Sequence, residues 1–386
     1  MKIGLVTGEF PPMQGGVGDY SRELALAFVE LGHEVRVITD HRNAVTPDRE
    51  QPYEVRAVTS PAWGLRDLWQ VRKQTADLDI VNVQYQAAAY GRMRPPIHFL
   101  PRVLSRPAVV TFHDLREPYL FPKAGSLRQK AVLWLARSAS GVIVTNREDF
   151  LQLHAEPAIG HLADIPIGSN IRPNPPAGFD AMKWRAAHDI PSDAFVLGYF
   201  GFFNSSKGGE TLVEVLAQLV ERGFPAKLLH IGGQAGSSDT TNRAYGAKVL
   251  VLAHDLGVVD HITQTGFLPP QETSAALLAC DVMLMPYRDG ASLRRGTFMA
   301  CLNHGRPTIT TQPVSPLPEL VNGENVFLVP RDDNEATVAA VQTLHANADL
   351  RARIGRRANE LSKSFTWDNI ARQAVDFFEQ VRAKIS

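Results

Sequence analysis

Apolar residues in this chain fall into two rhythms, and their alternation predicts the architecture. "KIGLVT" (2–7) is a short, nearly continuous apolar run, as in a strand covered on both faces. A Gly/Pro loop follows, then "DYSRELALAFVELG", where Leu24, Ala27, Phe28 and Leu31 recur at helical spacing and Gly32 closes the helix. "EVRVIT" reads as the next strand. Strand, helix, strand with short links implies a right-handed crossover and a parallel sheet. The pattern returns in "DIVNVQ" (79–84), "AVVTFHD" (108–114) and "GVIVTN" (141–146), with helical "SLRQKAVLWLARSA" between the last two.

Periodicity lapses over "IPIGSNIRPNPPAG" (165–178), which reads as an interdomain linker. Beyond it the alternation restarts, with strands at "FVLGYFG", "AKLLHIGG", "ITQTG", "DVMLMPY", "PTITT" and "VFLVP". Helices are expected at "ETLVEVLAQLVERG", near 243–256, at "QETSAALLAC" and "RGTFMACLNHG", and in the two amphipathic segments that begin at Glu335 and Trp367. The expected fold class is α/β: two doubly wound, Rossmann-like domains, 1–170 and 171–365. In such sheets ligands bind at the carboxyl ends of strands, so the cleft between the two domains is the expected site.

Composition agrees with two domains: 386 residues, 44% hydrophobic, bury a core too large for one. Formal net charge is zero, so no nucleic-acid partner is expected. Cys280 and Cys301 lie in apolar stretches and read as buried thiols of a reducing compartment. The N-terminal apolar run breaks at Pro11-Pro12, too short for a signal peptide, and no run approaches the ~20 residues of a membrane span. A soluble, cytoplasmic protein is expected.

Candidate chemistry sits at strand ends. Gly15, Gly16 and Gly18 open the first helix, where free amides favour an anion. Asp40 ends the second strand, as in a nicotinamide-dinucleotide site, but the turn from Thr7 to Gly15 is too long for that fingerprint. Asp77 and Asp79 imitate a metal-binding Asp-x-Asp; because Asp79 opens a buried strand, this reading is rejected. His113 and Asp114 lie just past a buried strand. Lys207, before Gly208 and Gly209, follows a strand and opens a helix, so its ammonium and the local amides converge on one anion. Arg294 and Arg295 precede Gly296 and Thr297 at a second helix start in the same domain. Two such starts make a diphosphate the expected ligand.

These segments, in this order, resemble a retaining glycosyltransferase of the two-domain GT-B type, group 1 or family 4. The resemblance runs from "PPMQGGVGDY" and "TFHD" through "GYFGFFNSSKGGETL" and "TGFLPPQETSAALLACDVMLMPY" to "HGRPTITT", "PLPELVNGENVFLVP" and "FTWDNIARQ". It implies a hexosyltransferase that takes a nucleotide-diphosphate sugar as donor and a hydroxyl as acceptor, with no cofactor and no metal. By the same resemblance His113 and Lys207 are catalytic, and Gly15, Gly16, Phe267 and Glu319 also bind donor; the second helix start, with Ser292, Arg294, Arg295, Gly296 and Thr297, is expected to bind donor as well. Asp19, Tyr20 and Asp114 lie on the acceptor side, and a C-terminal helix (366–386) completes the first domain. Three positions depart from the pattern. Phe202 stands where the family has a phosphate-binding arginine, and Ser292 and Ala300 stand where it has paired glutamates. Arg294 or Arg295 is the expected substitute cation. The basic stretch 91–106, with Ile97, Phe99 and Leu100, suggests peripheral contact with an anionic inner membrane face. A nucleotide-sugar epimerase and a binding protein without catalysis are the alternative readings.

Overall fold

A computed structural model describes residues 1–13, 15–43, 51–61, 63–90, 95–115, 125–233 and 240–384. The chain divides into two compact units, Met1–Gly168 with Thr366–Ser386, and Ser169–Phe365.

The first unit holds β1 (Lys2–Val6), α1 (Gly16–Glu30), β2 (Glu34–Asp40), β3 (Glu54–Thr59), α2 (Leu65–Gln74), β4 (Ile80–Tyr85) and α3 (Leu100–Val103). It continues with β5 (Ala108–Phe112), α4 (Gly125–Ser138), β6 (Gly141–Val144), α5 (Arg147–His154) and β7 (Leu162–Asp164). The strands form one sheet in the order β3-β2-β1-β4-β5-β6-β7, every pairing parallel. Strands β1, β4, β5 and β6 are almost wholly buried because helices cover both their faces. On one face Leu24 and Phe28 pack with Ile370, Phe378 and Val381 of the last helix. On the other, Leu68, Val71, Ile97, Leu100 and Leu135 close over Val81, Val83 and Val110.

The second unit runs α6 (Ala181–Ala187), β8 (Phe195–Phe200), α7 (Gly209–Glu221), β9 (Ala226–Ile231), α8 (Thr240–Asp255), β10 (Ile262–Gln264), α9 (Pro270–Leu278) and β11 (Val282–Met285). Then come α10 (Gly296–Asn303), β12 (Thr308–Thr311), β13 (Phe327–Val329), α11 (Asn334–Ala346) and α12 (Ala348–Ser362), before α13 (Trp367–Ala383) returns to the first unit. Its sheet order is β10-β9-β8-β11-β12-β13, also parallel throughout. In both sheets the order reverses beside the first strand of the unit, between β1 and β4 and between β8 and β11. Loops leaving the carboxyl ends there diverge and open a crevice.

Elements without a clear apolar stripe go unread in the sequence. Helix α2 buries only Asp67, Leu68 and Val71, and β3 is an edge strand of mixed burial. Helices α3, α5, α6 and α12 and strand β7 are the others.

Candidate active site

In the second unit the site grows from the loop after β8. Gly201 turns the chain at φ +129, a value that strains any side-chain-bearing residue. Asn204 caps the following turn, its Oδ1 accepting from the amides of Ser206 (3.1 Å) and Lys207 (3.0 Å). Gly208, left-handed at φ +72, leads into α7. This folding returns Lys207 onto Gly201: a Cβ built on Gly201 would lie 3.3 Å from Lys207 Nζ and 3.2 Å from Thr297 Cγ2. The ammonium and the first turn of α10 therefore meet over one glycine.

The loop after β11 supplies the second cation. Arg295 is the N-cap of α10, its guanidinium 4.1 Å over the Tyr287 ring and paired with Asp289. The side chain is only 12% exposed, and its buried Nε has no partner among the described residues. Burial, and then repulsion from Arg295, lower the Lys207 pKa to about 8, with Asp289 acting in the opposite direction. Two cations against one carboxylate leave an excess positive charge beside the first turn of α10, which suits an oxyanion.

In the first unit Gly15 is the N-cap of α1. The carboxylate of Glu9 lies directly over Gly15, so a Cβ at that position would collide with it. Burial and then Asp19 push the Glu9 pKa up, while Arg42 and the Val17 amide pull it down. The helix start therefore already carries one of the protein's own carboxylates. Asp19, in the first helical turn, is also raised by burial. Tyr20 is a core ring, edge-on to His113 (4.6 Å between centroids) and to Trp367 (5.1 Å).

His113 continues β5, its amide bonded to Tyr85 O (3.1 Å), and burial lowers its pKa to about 4. Its Nε2 lies 2.9 Å from Gln84 Oε1. Gln84 Nε2 in turn donates to Asn82 Oδ1, and Asn82 Nδ2 donates to Thr111 Oγ1 (2.8 Å) and Val109 O (3.2 Å). Asp114 is half-buried beside it.

Residues 194–347, which hold the Lys207–Arg295 cluster, match the family model "Glycosyl transferases group 1", and residues 15–156 match "Glycosyl transferase 4-like domain". The two matches together span well over half of the chain. The chain belongs to the group 1 glycosyltransferases. Among relatives, a GDP-mannose-dependent alpha-(1-6)-phosphatidylinositol monomannoside mannosyltransferase of Mycobacterium tuberculosis is 26% identical over 97% of both chains. A D-inositol 3-phosphate glycosyltransferase of Saccharomonospora viridis is 30% identical over 52% of this chain and 46% of its own length. The chain spans about half the length of most of the curated relatives it matches. Anabaena HepE, solved with UDP and glucose, superposes with a TM-score of 0.78 at 19% identity, covering 98% of this chain and 100% of its own; the likeness is one of fold.

Within the two units the predicted residues separate by place. Lys207, Arg295 and Thr297 cluster, with Gly296 opening the same helix. Ser292 Oγ accepts from the Arg294 amide (3.4 Å), and Ala300 is fully buried. Phe267 (68% exposed) and Glu319 lie on the surface and share no hydrogen bond or ion pair with that cluster among the described residues. Phe202 is half-buried beside Gly233. Asp77 pairs with Arg36 (2.7 Å), and Asp79 accepts from the Lys2 amide (2.7 Å). Those two carboxylates are structural.

One reading needs correction. In the stretch 91–106, Ile97 and Leu100 do not face outward: they are 1% and 0% exposed because they fill the core beneath α2 and α4. Arg106 bonds the Ala76 carbonyl (2.6 Å), and Arg92 and Arg94 lie outside the described residues. The exposed apolar groups are instead Phe99 (47%), Trp134 (41%) and Trp69 (66%). Consecutive contacts link them: Arg72 lies over Trp69 and bonds Val103 O, and Arg102 lies over Trp134, which packs on Phe99. Among the described residues no helix is long and apolar enough to cross a membrane.

Sequence reading missed Glu9, Asn82, Gln84, Tyr287 and Asp289. Asn82 and Gln84 carried a signal, two amides alternating within an otherwise apolar strand. The others became relevant only through their contacts.

Proposed function

We propose that this chain transfers a sugar from a nucleotide-diphosphate sugar to a hydroxyl acceptor, with retention of configuration and without a divalent metal. The observation that carries the proposal is the convergence of Lys207 and Arg295 on the start of α10. The leaving diphosphate gains charge as the glycosidic bond breaks through an oxocarbenium-like transition state. Cations and amides fixed beforehand stabilise that charge most. Lys207 and Arg295, in place of an arginine at Phe202, neutralise the diphosphate charge that a metal would otherwise offset. The acceptor hydroxyl attacks from the leaving-group face and passes its proton to the departing phosphate oxygen. His113 accepts a hydrogen bond from a sugar hydroxyl. The named activity of the mycobacterial relative supports a sugar or glycolipid acceptor.

Thermal unfolding with UDP, GDP, ADP and dTDP tests this reading. One nucleotide should stabilise the protein by about 2.7 kcal/mol at a hundredfold excess over its dissociation constant. Arg295→Met should weaken that nucleotide roughly 10- to 100-fold, the scale of one charge-assisted hydrogen bond of about 1.5–3 kcal/mol. Unchanged affinity in this variant would assign the diphosphate to other groups. Product formation with the corresponding sugar nucleotide then separates transfer from epimerisation and from binding alone.

A peripheral membrane contact is part of the proposal, through Trp69, Phe99 and Trp134 with Arg72 and Arg102. Aromatic rings flanked by guanidinium groups suit an anionic interface, where each basic residue adds about 1 kcal/mol. The protein should sediment with phosphatidylglycerol vesicles at low salt, and Trp69→Ser with Trp134→Ser should abolish sedimentation. Failure of the unmodified protein to sediment removes this part.

A further inference from the structure

We infer that Asn82 and Gln84 are positioning residues that hold His113 as the Nε2–H tautomer, so that Nδ1 is the atom offered to a ligand hydroxyl. The inference follows from the direction of the hydrogen bonds. One end of the chain is unambiguous, because the main-chain carbonyl of Val109 only accepts. The group of Asn82 that meets it, at 3.2 Å, must therefore be the amide nitrogen. That leaves Asn82 Oδ1 toward Gln84, which must answer with its own amide nitrogen. Gln84 Oε1 is then turned to His113 Nε2 at 2.9 Å, and the imidazole must present an N–H there. Three side chains on two neighbouring strands are thus polarised from a single backbone carbonyl.

Burial gives the chain its force. Asn82 and Gln84 are 1% and 0% exposed, so neither amide has water to fall back on if a neighbour turns over. Strand register keeps the members in place, with Asn82 beside Val109 and Gln84 beside Thr111. The ring cannot swing away, since Tyr20 lies against it edge-on and Trp367 backs Tyr20. Nδ1 has no partner among the described residues. Burial also keeps the imidazole neutral at ordinary pH, so Nδ1 retains its lone pair.

The role of Nδ1 toward a sugar rests on the proposed transferase reading, whereas the tautomer does not. Nitrogen-resolved NMR of the full chain, with the His113 ring assigned by comparison with His113→Asn, tests the tautomer without any ligand. A single Nε2–H form is expected at neutral pH; an Nδ1–H form, or exchange between the two, overturns the inference. Gln84→Leu removes the acceptor and should bring in the Nδ1–H form; an unchanged Nε2–H population in that variant also overturns it. Should Gln84→Leu not fold, the unmodified protein still decides. In turnover of the sugar nucleotide that the nucleotide panel selects, His113→Asn, whose Oδ1 replaces Nδ1, should keep at least tenfold more kcat/KM than His113→Gln, whose amide replaces Nε2. The reverse order would overturn the assignment of Nδ1. Absence of any turnover in the unmodified protein would count against the transferase reading and leave the tautomer result standing.

Discussion

Replacing Lys207 by methionine should lower kcat/KM about 10²- to 10³-fold, the scale for removing one preorganised stabiliser of transition-state charge. The folded protein should be no less stable for the loss. The ammonium has no hydrogen bond or ion pair among the described residues, and burial together with Arg295 already lowers its pKa to about 8 from 10.5. Between those values the unfolded chain holds a proton that the folded chain has released. The donor-free protein therefore gains stability as pH rises from about 8 toward 10.5, and this group contributes no slope below 8. Donor affinity should run the other way, because the diphosphate needs the charged amine: it weakens as pH passes about 8, and binding there takes up a proton. Urea unfolding and donor titration at pH 7.5 and 9.5, with and without Lys207→Met, read both slopes. If both persist in the methionine variant, Lys207 is not their source.

Gly208→Ala should be more damaging than its size suggests. At φ +72 an alanine is strained, at roughly 1–2 kcal/mol. A Cβ would also sit inside contact distance of the Pro286 carbonyl oxygen, which belongs to the segment after β11 and cannot swing aside. Overpacking of this kind adds roughly 1–3 kcal/mol, for a total of about 2–5 kcal/mol. A unit of this size should lose roughly 5–15 °C in melting temperature. Gly223→Ala is the control, since it is also left-handed but has open space around its Cβ position, so it carries only the backbone cost. Equal losses in the two variants would mean that the Pro286 contact is unimportant. The close approach gives the second glycine-bearing loop its purpose: it brings the chain that carries Lys207 against the strand end that leads to Arg295.

Only residues that carry a local signature were legible in the sequence. Strands β1, β4, β5, β8 and β11 are short buried runs, and their order and alternation with helical segments disclosed two parallel sheets. Helix α2 was invisible because six of its ten residues are polar and two of its four apolar ones, Leu65 and Trp69, point to solvent. In the site, Lys207 and Arg295 were legible because each follows a strand and opens a helix. Their relation through Asp289 and Tyr287 was not, since pairing across a loop leaves no periodic trace. The glycine loop at Gly15 advertised an anion site, and the structure puts Glu9 over it, six residues away in sequence. No spacing rule connects a carboxylate to the helix start it will cap when a loop of two prolines intervenes.

Helix α13 has a consequence for how the molecule is made. Its residues leave the ribosome after every residue of the second unit, yet Ile370, Phe378 and Val381 belong to the core of the first. A nascent chain can thus complete the second unit while one face of the first sheet, with Leu24 and Phe28, still lacks its cover. The first unit must then close a loop of nearly two hundred residues, a step whose entropy grows only slowly with that length. Since Trp367 backs Tyr20 and Tyr20 backs His113, the imidazole is set in its final place by a segment synthesised only after the whole second unit. Premature termination before Trp367 would yield a chain with an intact anion cradle, an uncovered apolar face and an unbraced histidine.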